Sequence, residues 1–310
     1  MRLLRRVAGN VYRKLAAPFG VRALDRMLAD GLPSRLERPL RFLFTAERPA
    51  GVLALETRIE ARRAEIANQP ALYQVSYHSS AIGVVRWPES VASAQPDSAV
   101  SSRRLANNAS VPRRWGTFLH LCAEELEART IVETGACVGI SGAYLASAVS
   151  YPRFITIEGS SALAAIAEAT LSKFSDRAIV IRDSIDSGIP RALALLAHEH
   201  LTIDVAYLDG HHEEAPTLHY VHTLLPHLAP GALIILDDIS LHAGMRRAWH
   251  QLSRMEGVLA AVDTGRLGLL VWHGGSTVPR QYDLAHYTGV WRSQNYRRNP
   301  ARMPVSASSE

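Results

Sequence analysis

From Thr130 onward, short apolar runs alternate with longer stretches of helical periodicity. The run Ile131–Thr134 precedes a helical pattern over Ser141–Val149, Phe154–Ile157 precedes Ser161–Phe174, and Ala178–Ile181 precedes Ile189–His198. Ile203–Leu208 is followed by Glu214–Leu228, and Ala232–Leu236 by Gly244–Arg254. Five such units predict a parallel sheet with helices on both faces, an α/β doubly wound architecture. The pattern then changes. Val258–Val262 and Leu267–Trp272 are strand-like, and Asp263-Thr264-Gly265-Arg266 between them leaves room for a hairpin turn but not a helix. The sheet is therefore expected to be mostly parallel and closed by an antiparallel hairpin strand.

Upstream the pattern is different. Leu3, Leu4, Val7, Ala8, Val11, Tyr12 and Leu15 form an apolar helical stripe against Arg2, Arg5, Arg6, Arg13 and Lys14. Such a helix either lies on an anionic membrane surface, serves as a transit segment, or packs on its own protein with its arginines in solvent; the last is the reading adopted. Residues from about Pro70 to Val111 are rich in Ser, Pro and Asn and read as an irregular connector or lid offering Tyr73, Tyr77, His78 and Trp87. Ser110-Val111-Pro112 then reads as a capped start for an amphipathic helix carrying Trp115, Phe118, Leu119, Cys122 and Leu126. The organisation expected is a helical extension with connector over 1–109, a catalytic domain over 110–275 and a solvated, partly disordered tail over 276–310.

Composition narrows the function classes. The 310 residues hold 34 basic and 29 acidic side chains, but Met1–Arg41 alone has ten basic against three acidic. The remainder is close to neutral, which argues against a nucleic-acid binder with its basic stripe on the folded domain. No stretch of about 18 apolar residues offers a membrane span. With only Cys122 and Cys137, and a start lacking the apolar core of a secretory signal, a soluble cytoplasmic protein is expected.

In open parallel sheets, ligands sit at the carboxyl ends of the strands, so the residues following each strand carry the chemistry. After the first comes Glu133-Thr134-Gly135-Ala136-Cys137-Val138-Gly139-Ile140-Ser141. Its glycines allow a sharp turn and close approach to a ligand, yet Cys137 stands where a dinucleotide fingerprint has its middle glycine. The second strand ends in Glu158, 23 residues from Gly135, a spacing at which a carboxylate accepts both hydroxyls of a ribose. Capping of the next helix is the plainer role. Asp183 and Ser184 follow the third strand and either reach an adenine amino group or make a turn. The fourth ends in Asp209-Gly210-His211-His212 and the fifth in Asp237-Asp238. Crowded carboxylates call for a cation or a shared proton. Oxygen ligands suit magnesium, so Asp209, Asp237 and Asp238 are the candidate metal ligands, unless the last two merely cap a helix.

Taken together, E-x-G-x-x-x-G-x-S (Glu133–Ser141), D-G-x-H (Asp209–His212) and D-D-I (Asp237–Ile239) followed by Gly244-Met245-x-x-Ala248-Trp249 resemble one family. It is the class I S-adenosylmethionine-dependent methyltransferases, in particular the bacterial small-molecule O-methyltransferases related to the catechol type. The resemblance spans roughly Ser110 to Trp272. It implies a Rossmann-like sheet ending in a reversed strand, with S-adenosylmethionine as cofactor. Gly135 and Gly139, with Glu133 and Ser141, would cradle its methionine portion. Glu158 would hold its ribose, and Asp183 or Ser184 would lie by its adenine. Asp209 would border both cofactor and acceptor. The resemblance also implies a magnesium triad at Asp209, Asp237 and Asp238, with Asp238 standing where that group usually has Asn, and His212 where the catechol-type pattern places a lysine base.

Methyl transfer is an in-line displacement that needs the acceptor oxygen positioned and deprotonated. Imidazole suits a general base near neutral pH, which makes His212 the catalytic candidate beside Asp209. His211, His219, His222, His227, Met245 and Trp249 read as structural. The expected partner is a hydroxylated small molecule or sugar, with homo-oligomerisation left open. Two alternatives stay open: a nicotinamide-dependent oxidoreductase with a degenerate glycine loop, and a non-catalytic cofactor-binding or scaffold protein.

Overall fold

The computed structural model describes residues 2–75, 98–150 and 152–289. Three helices open the chain: α1 (Arg2–Ala29), α2 (Glu37–Thr45) and α3 (Ala50–Ala67). A short antiparallel pair follows, β1 (Leu72–Val75) with β2 (Ser98–Ser101), and then α4 (Arg113–Glu125). The alternating part runs β3 (Thr130–Thr134), α5 (Ile140–Ala146), β4 (Arg153–Glu158), α6 (Ser161–Leu171), β5 (Ala178–Arg182) and α7 (Ile185–His198). It continues with β6 (Ile203–Leu208), α8 (Glu214–Leu224), β7 (Leu228–Leu236) and α9 (Ala243–Leu252). The chain closes with β8 (Val258–Asp263), β9 (Gly268–Trp272) and β10 (Arg280–Asp283).

The main sheet has the order β10-β8-β9-β7-β6-β3-β4-β5. The expected Rossmann-like, mostly parallel sheet is therefore present, but the reversed strand is not at its edge. β9 runs antiparallel to both neighbours, β7 and β8, and β10 adds a parallel strand outside β8. The run Val258–Asp263 goes to the outer position first, so the hairpin brings its second strand back against β7. β10 also lies beyond the expected domain end at residue 275, and its Tyr282 hydroxyl donates to the Asp30 carbonyl at 3.3 Å.

Alternate residues of the strands feed two core layers, because successive side chains of a strand point to opposite faces. Ile131, Val205, Tyr207, Leu233 and Ile235 belong to one layer; Val132, Ala206, Leu208, Ile234 and Leu236 belong to the other. All five residues of β3 are buried, as a central parallel strand covered on both faces requires. The extension shares the first layer: Leu24, Leu36, Leu40, Leu43, Ile59 and Ile66 join the same apolar cluster as the sheet. Within α1, Ala23 and Leu24 face this core, while Tyr12, Leu15 and Phe19 are exposed. No helix among the described residues is long and apolar enough to cross a membrane.

The connector is partly built. Arg63 on α3 is buried, and its guanidinium donates to the Ala106 and Val111 carbonyls, each at 2.6 Å, and to Glu60 at 2.9 Å. Tyr73 lies in β1; Tyr77, His78 and Trp87 lie outside the described residues, as does the tail from 290. The expected serine cap is corrected: Pro112 holds the N-cap of α4 without a side-chain bond, and the Ser110 hydroxyl donates instead to the Leu105 carbonyl at 3.0 Å.

Arg63 supplies the donors for two buried carbonyls in the stretch just before α4, at about 1–3 kcal/mol for each one left bare. Arg63→Met is expected to lower unfolding stability by about 2–4 kcal/mol. Urea unfolding measures this, and an unchanged midpoint would mean that the carbonyls find other donors.

Candidate active site

β3 has β4 on one side and β6 on the other, so the strand order reverses between β3 and β6 and their carboxyl ends open a crevice. Gly135 sits at its mouth with φ +84°, a left-handed conformation that glycine adopts freely. A Cβ there would overlap the carbonyl oxygen of Asp209, so the tips of β3 and β6 meet backbone to backbone. Gly139, at φ +81°, begins α5 and would place a Cβ 3.0 Å from the Ala167 backbone. Cys137 adopts φ +50° although it is not glycine. What holds this bend is Glu158: its carboxylate accepts the Cys137 N–H at 2.8 Å and the Ser160 N–H at 2.9 Å. The cap of α6 is the Ser160 hydroxyl, accepting from the Leu163 N–H at 3.5 Å, so capping does not occupy Glu158. Burial raises the Glu158 pKa, and the backbone N–H groups that it accepts counter the rise.

Glu133, beneath the loop, is fully buried. One carboxylate oxygen accepts the Thr156 hydroxyl at 2.7 Å, and the other, Oε1, has no hydrogen-bond partner. Burial pushes its pKa up to about 7; the Ser141 and Thr156 hydroxyls pull it down, and the charge of Glu158 pushes the same way as burial. Asp183 and Ser184 stand at the third strand end with structural duties. Asp183 accepts the Ser184 N–H at 2.8 Å and pairs with Arg191 at 2.9 Å, while the Ser184 hydroxyl caps α7 through the Ser187 N–H.

At the ends of β6 and β7 the acids of the rim lie close together. Asp209 and Asp237 share the hydroxyl of Tyr207, at 3.0 and 3.3 Å. His212 Nε2 lies 3.5 Å from Asp209 Oδ1. His242 Nε2–H donates to the His212 carbonyl at 2.6 Å, and its Nδ1 accepts the Gly244 N–H at 3.1 Å; this ties the D-G-x-H loop to the start of α9. His211 belongs to the neighbouring packing: it stacks on Tyr220 at 5.9 Å and contacts its hydroxyl at 2.6 Å. Met245 and Trp249 are buried in the core.

The expected magnesium ligands Asp209, Asp237 and Asp238 lie beside a cation of the chain itself. Arg266, from the β8–β9 turn, donates to Asp237 Oδ2 at 2.6 Å and reaches 3.6 Å from Asp238. Among the described residues, no group of three or more His, Cys, Asp or Glu side chains is set to hold a metal ion. The carboxylates titrate in opposite directions. Burial and the charge of Asp237 push Asp209 well up, whereas for Asp237 the guanidinium outweighs burial and holds the carboxyl below its ordinary value. Burial and Asp237 also raise Asp238. Both remedies for carboxylate crowding are thus present, a cation in Arg266 and a proton taken up more readily at Asp209. Tyr207, His242 and Arg266 were not among the expected site residues. Tyr207 had a signal, since it lies near the end of β6, two residues before Asp209, and so faces the same way.

Residues 132–239 match a family described as a methyltransferase domain. Among solved structures, cofactor-bound Rv0187 from MTB is 18% identical over 79% of this chain and 100% of its own, with TM-score 0.51. That share is too large for residues 110–275 alone, so the similarity in fold extends beyond them. The O-methyltransferase TomG from Streptomyces achromogenes, in complex with SAM, is 23% identical over 54% of this chain and 83% of its own, with TM-score 0.48. An O-methyltransferase from Bacillus cereus, in complex with SAH, gives 23%, 53%, 83% and 0.45 for the same quantities. No curated protein matches the chain. Residues 132–239, the part that matches a methyltransferase domain, hold both the glycine bend and the D-G-x-H loop.

Proposed function

We propose that the protein is an O-methyltransferase acting on a hydroxyl group of a small molecule or sugar, with His212 as general base. The observation that carries this reading is the meeting of Gly135, Glu158 and the Asp209–His212 loop at the point between β3 and β6 where the strand order reverses. The residues suit S-adenosylmethionine: Glu133 Oε1 is a buried acceptor without a hydrogen-bond partner beneath the glycine bend. When bound, the cofactor supplies a methyl group on a sulfonium centre.

The remaining work falls to the chain. Gly135 and Gly139, above Glu133 and Ser141, would hold the amino-acid end. Glu158 would take the ribose: each carboxylate oxygen has a second lone pair beyond the N–H it already accepts. Asp183 and Ser184 border the adenine side. His212 takes the proton of the acceptor hydroxyl at Nε2, which lies 3.5 Å from Asp209 Oδ1. Asp237, kept ionised by Arg266, is the fixed negative charge of the rim. No step passes through a metal ion.

S-adenosylhomocysteine at 100 times its dissociation constant is expected to stabilise the native protein by about 2.7 kcal/mol in thermal melting, and NADH by nothing. A shift with NADH and none with S-adenosylhomocysteine would replace this reading with the oxidoreductase. Glu158→Ala should lose most of the shift. His212→Ala should keep it while transfer of labelled methyl to a small-molecule extract falls by about 10²-fold or more; transfer equal to wild type would remove the base.

Glu133 adds a pH dependence. Its carboxyl holds a proton in the native state up to about pH 7, whereas its ordinary value is 4.5. Between these values the native state binds more protons than the unfolded one, so stability falls as pH rises and levels off above about 7. At 1.36 kcal/mol per unit, the loss is on the order of 3 kcal/mol. In the absence of cofactor, Glu133→Gln should flatten the melting-temperature profile between about pH 5 and about 8. Parallel profiles for the two proteins would show that Glu133 does not titrate as a buried acid.

A further inference from the structure

Arg266 occupies an unusual place. It lies in the turn between β8 and β9, yet its guanidinium reaches Asp237 on the far side of the reversed strand, at 2.6 Å. Its backbone is fastened at the same time. The Ile239 N–H donates to the Arg266 carbonyl at 3.0 Å, so the turn and the Asp237–Ile239 loop are joined by main chain as well as side chain. The turn itself is braced: the Gly265 N–H donates to Asp263 at 2.7 Å, Thr264 bonds Leu267 through both its N–H and its hydroxyl, and Arg246 holds Asp263 at 2.8 Å.

Asp237 is 1% exposed and both its oxygens are taken. Oδ2 accepts Arg266 and the Tyr207 hydroxyl, and Oδ1 accepts the Asp238 N–H at 2.7 Å. From there a continuous set of contacts runs through the Tyr207 hydroxyl to Asp209 and on to His212. A divalent ion here would need oxygens free to close around it in near-octahedral geometry. It would also have to displace a charge-assisted hydrogen bond and then sit beside the displaced cation.

We propose that Arg266 is the resident cation of this acidic rim, standing where a divalent metal would otherwise bind, and that the site balances its carboxylates without a metal ion. It is a positioning residue. It anchors Asp237, and through Tyr207 it sets Asp209 against His212. Its meaning for catalysis rests on the methyltransferase reading, but the charge substitution can be tested separately.

The experiment is manganese binding, followed by electron paramagnetic resonance, on the full chain and on Arg266→Met, Arg266→Lys, Asp237→Asn and Arg266→Met/Asp237→Asn. The wild type and Arg266→Lys, both with a cation in place, should leave millimolar manganese free and show no magnesium-dependent melting shift. Arg266→Met should gain a bound-manganese signal and a magnesium-dependent rise in melting temperature, and the double variant should lose both. Manganese bound by the wild type at sub-millimolar concentration and lost in Asp237→Asn would overturn the proposal, because the arginine would then coexist with a metal site. No gain in a folded Arg266→Met would also overturn it, since the freed carboxylates would not be a cation site. If Arg266→Met does not fold, the wild-type titration and Arg266→Lys still decide. S-adenosylhomocysteine-induced melting shifts on the same proteins report the cofactor site, so failure of the methyltransferase reading is told apart from failure of this one.

Discussion

The site depends on one close approach: the backbone of Gly135 lies against the carbonyl of Asp209, where no side chain fits. Parallel pairing of β3 with β6 brings the two strand ends level, with Thr134 opposite Leu208. The next residues must then turn away from each other or touch. Here they touch, and the Asp209 N–H donates to the Thr134 carbonyl at 3.1 Å just before they do. The glycine bend and the D-G-x-H loop are thereby fixed relative to each other by main chain alone.

Around that contact the protein buries several acids and handles each differently. Glu133, with no cation beside it, moves its titration toward neutrality because desolvation penalises the charged form. Glu158 shows the same direction, moderated by backbone donors. Asp237 alone is held below its ordinary range, because its partner is a guanidinium at hydrogen-bond distance. The contrast follows from Coulomb's law in a low-dielectric setting: a charge 3 Å away outweighs burial, whereas hydroxyl dipoles only reduce its effect. The rim can therefore keep a fixed negative charge at Asp237 and an easily protonated group at Asp209, joined by one tyrosine hydroxyl.

Much of this was legible in the sequence because it is local. Each strand of the parallel core shows as a short apolar run, and each candidate acid lies at or just past the end of one, so Glu133, Glu158, Asp209 and Asp237 could be placed at strand ends without coordinates. What escaped depends on contacts between distant segments. The hairpin was visible, but not which of its strands would lie against β7, since both runs are equally apolar. Arg266 was read only as part of a turn, because the carboxylate it meets lies 29 positions earlier. β10, with the pattern Arg-Gln-Tyr-Asp, buries only Tyr282 and so lacks a strand's alternating signature. Ser110 looked like a cap by position, but the left neighbour of a helix caps it only if its hydroxyl turns toward the first N–H groups, and here that hydroxyl serves Leu105.

The extension also lies beyond the recognisable motifs, and its attachment gives it a part in the site. Glu60 on α3 accepts both the buried Arg63 and the hydroxyl of Tyr144 on α5, the helix that starts at Gly139. Arg63 in turn holds the chain at Ala106 and Val111, just before α4. Gly116 of α4 has no room for a Cβ because the Tyr144 ring fills the space. One tyrosine on the helix after the glycine bend is thus gripped by both the extension and α4. A fold that only had to bury its sheet could cover this face with any apolar helices. Polar side chains at the helix that carries the bend cost more to bury, and they are retained where orientation matters as well as coverage. On that argument α3 and α4 set the pose of the glycine bend from behind.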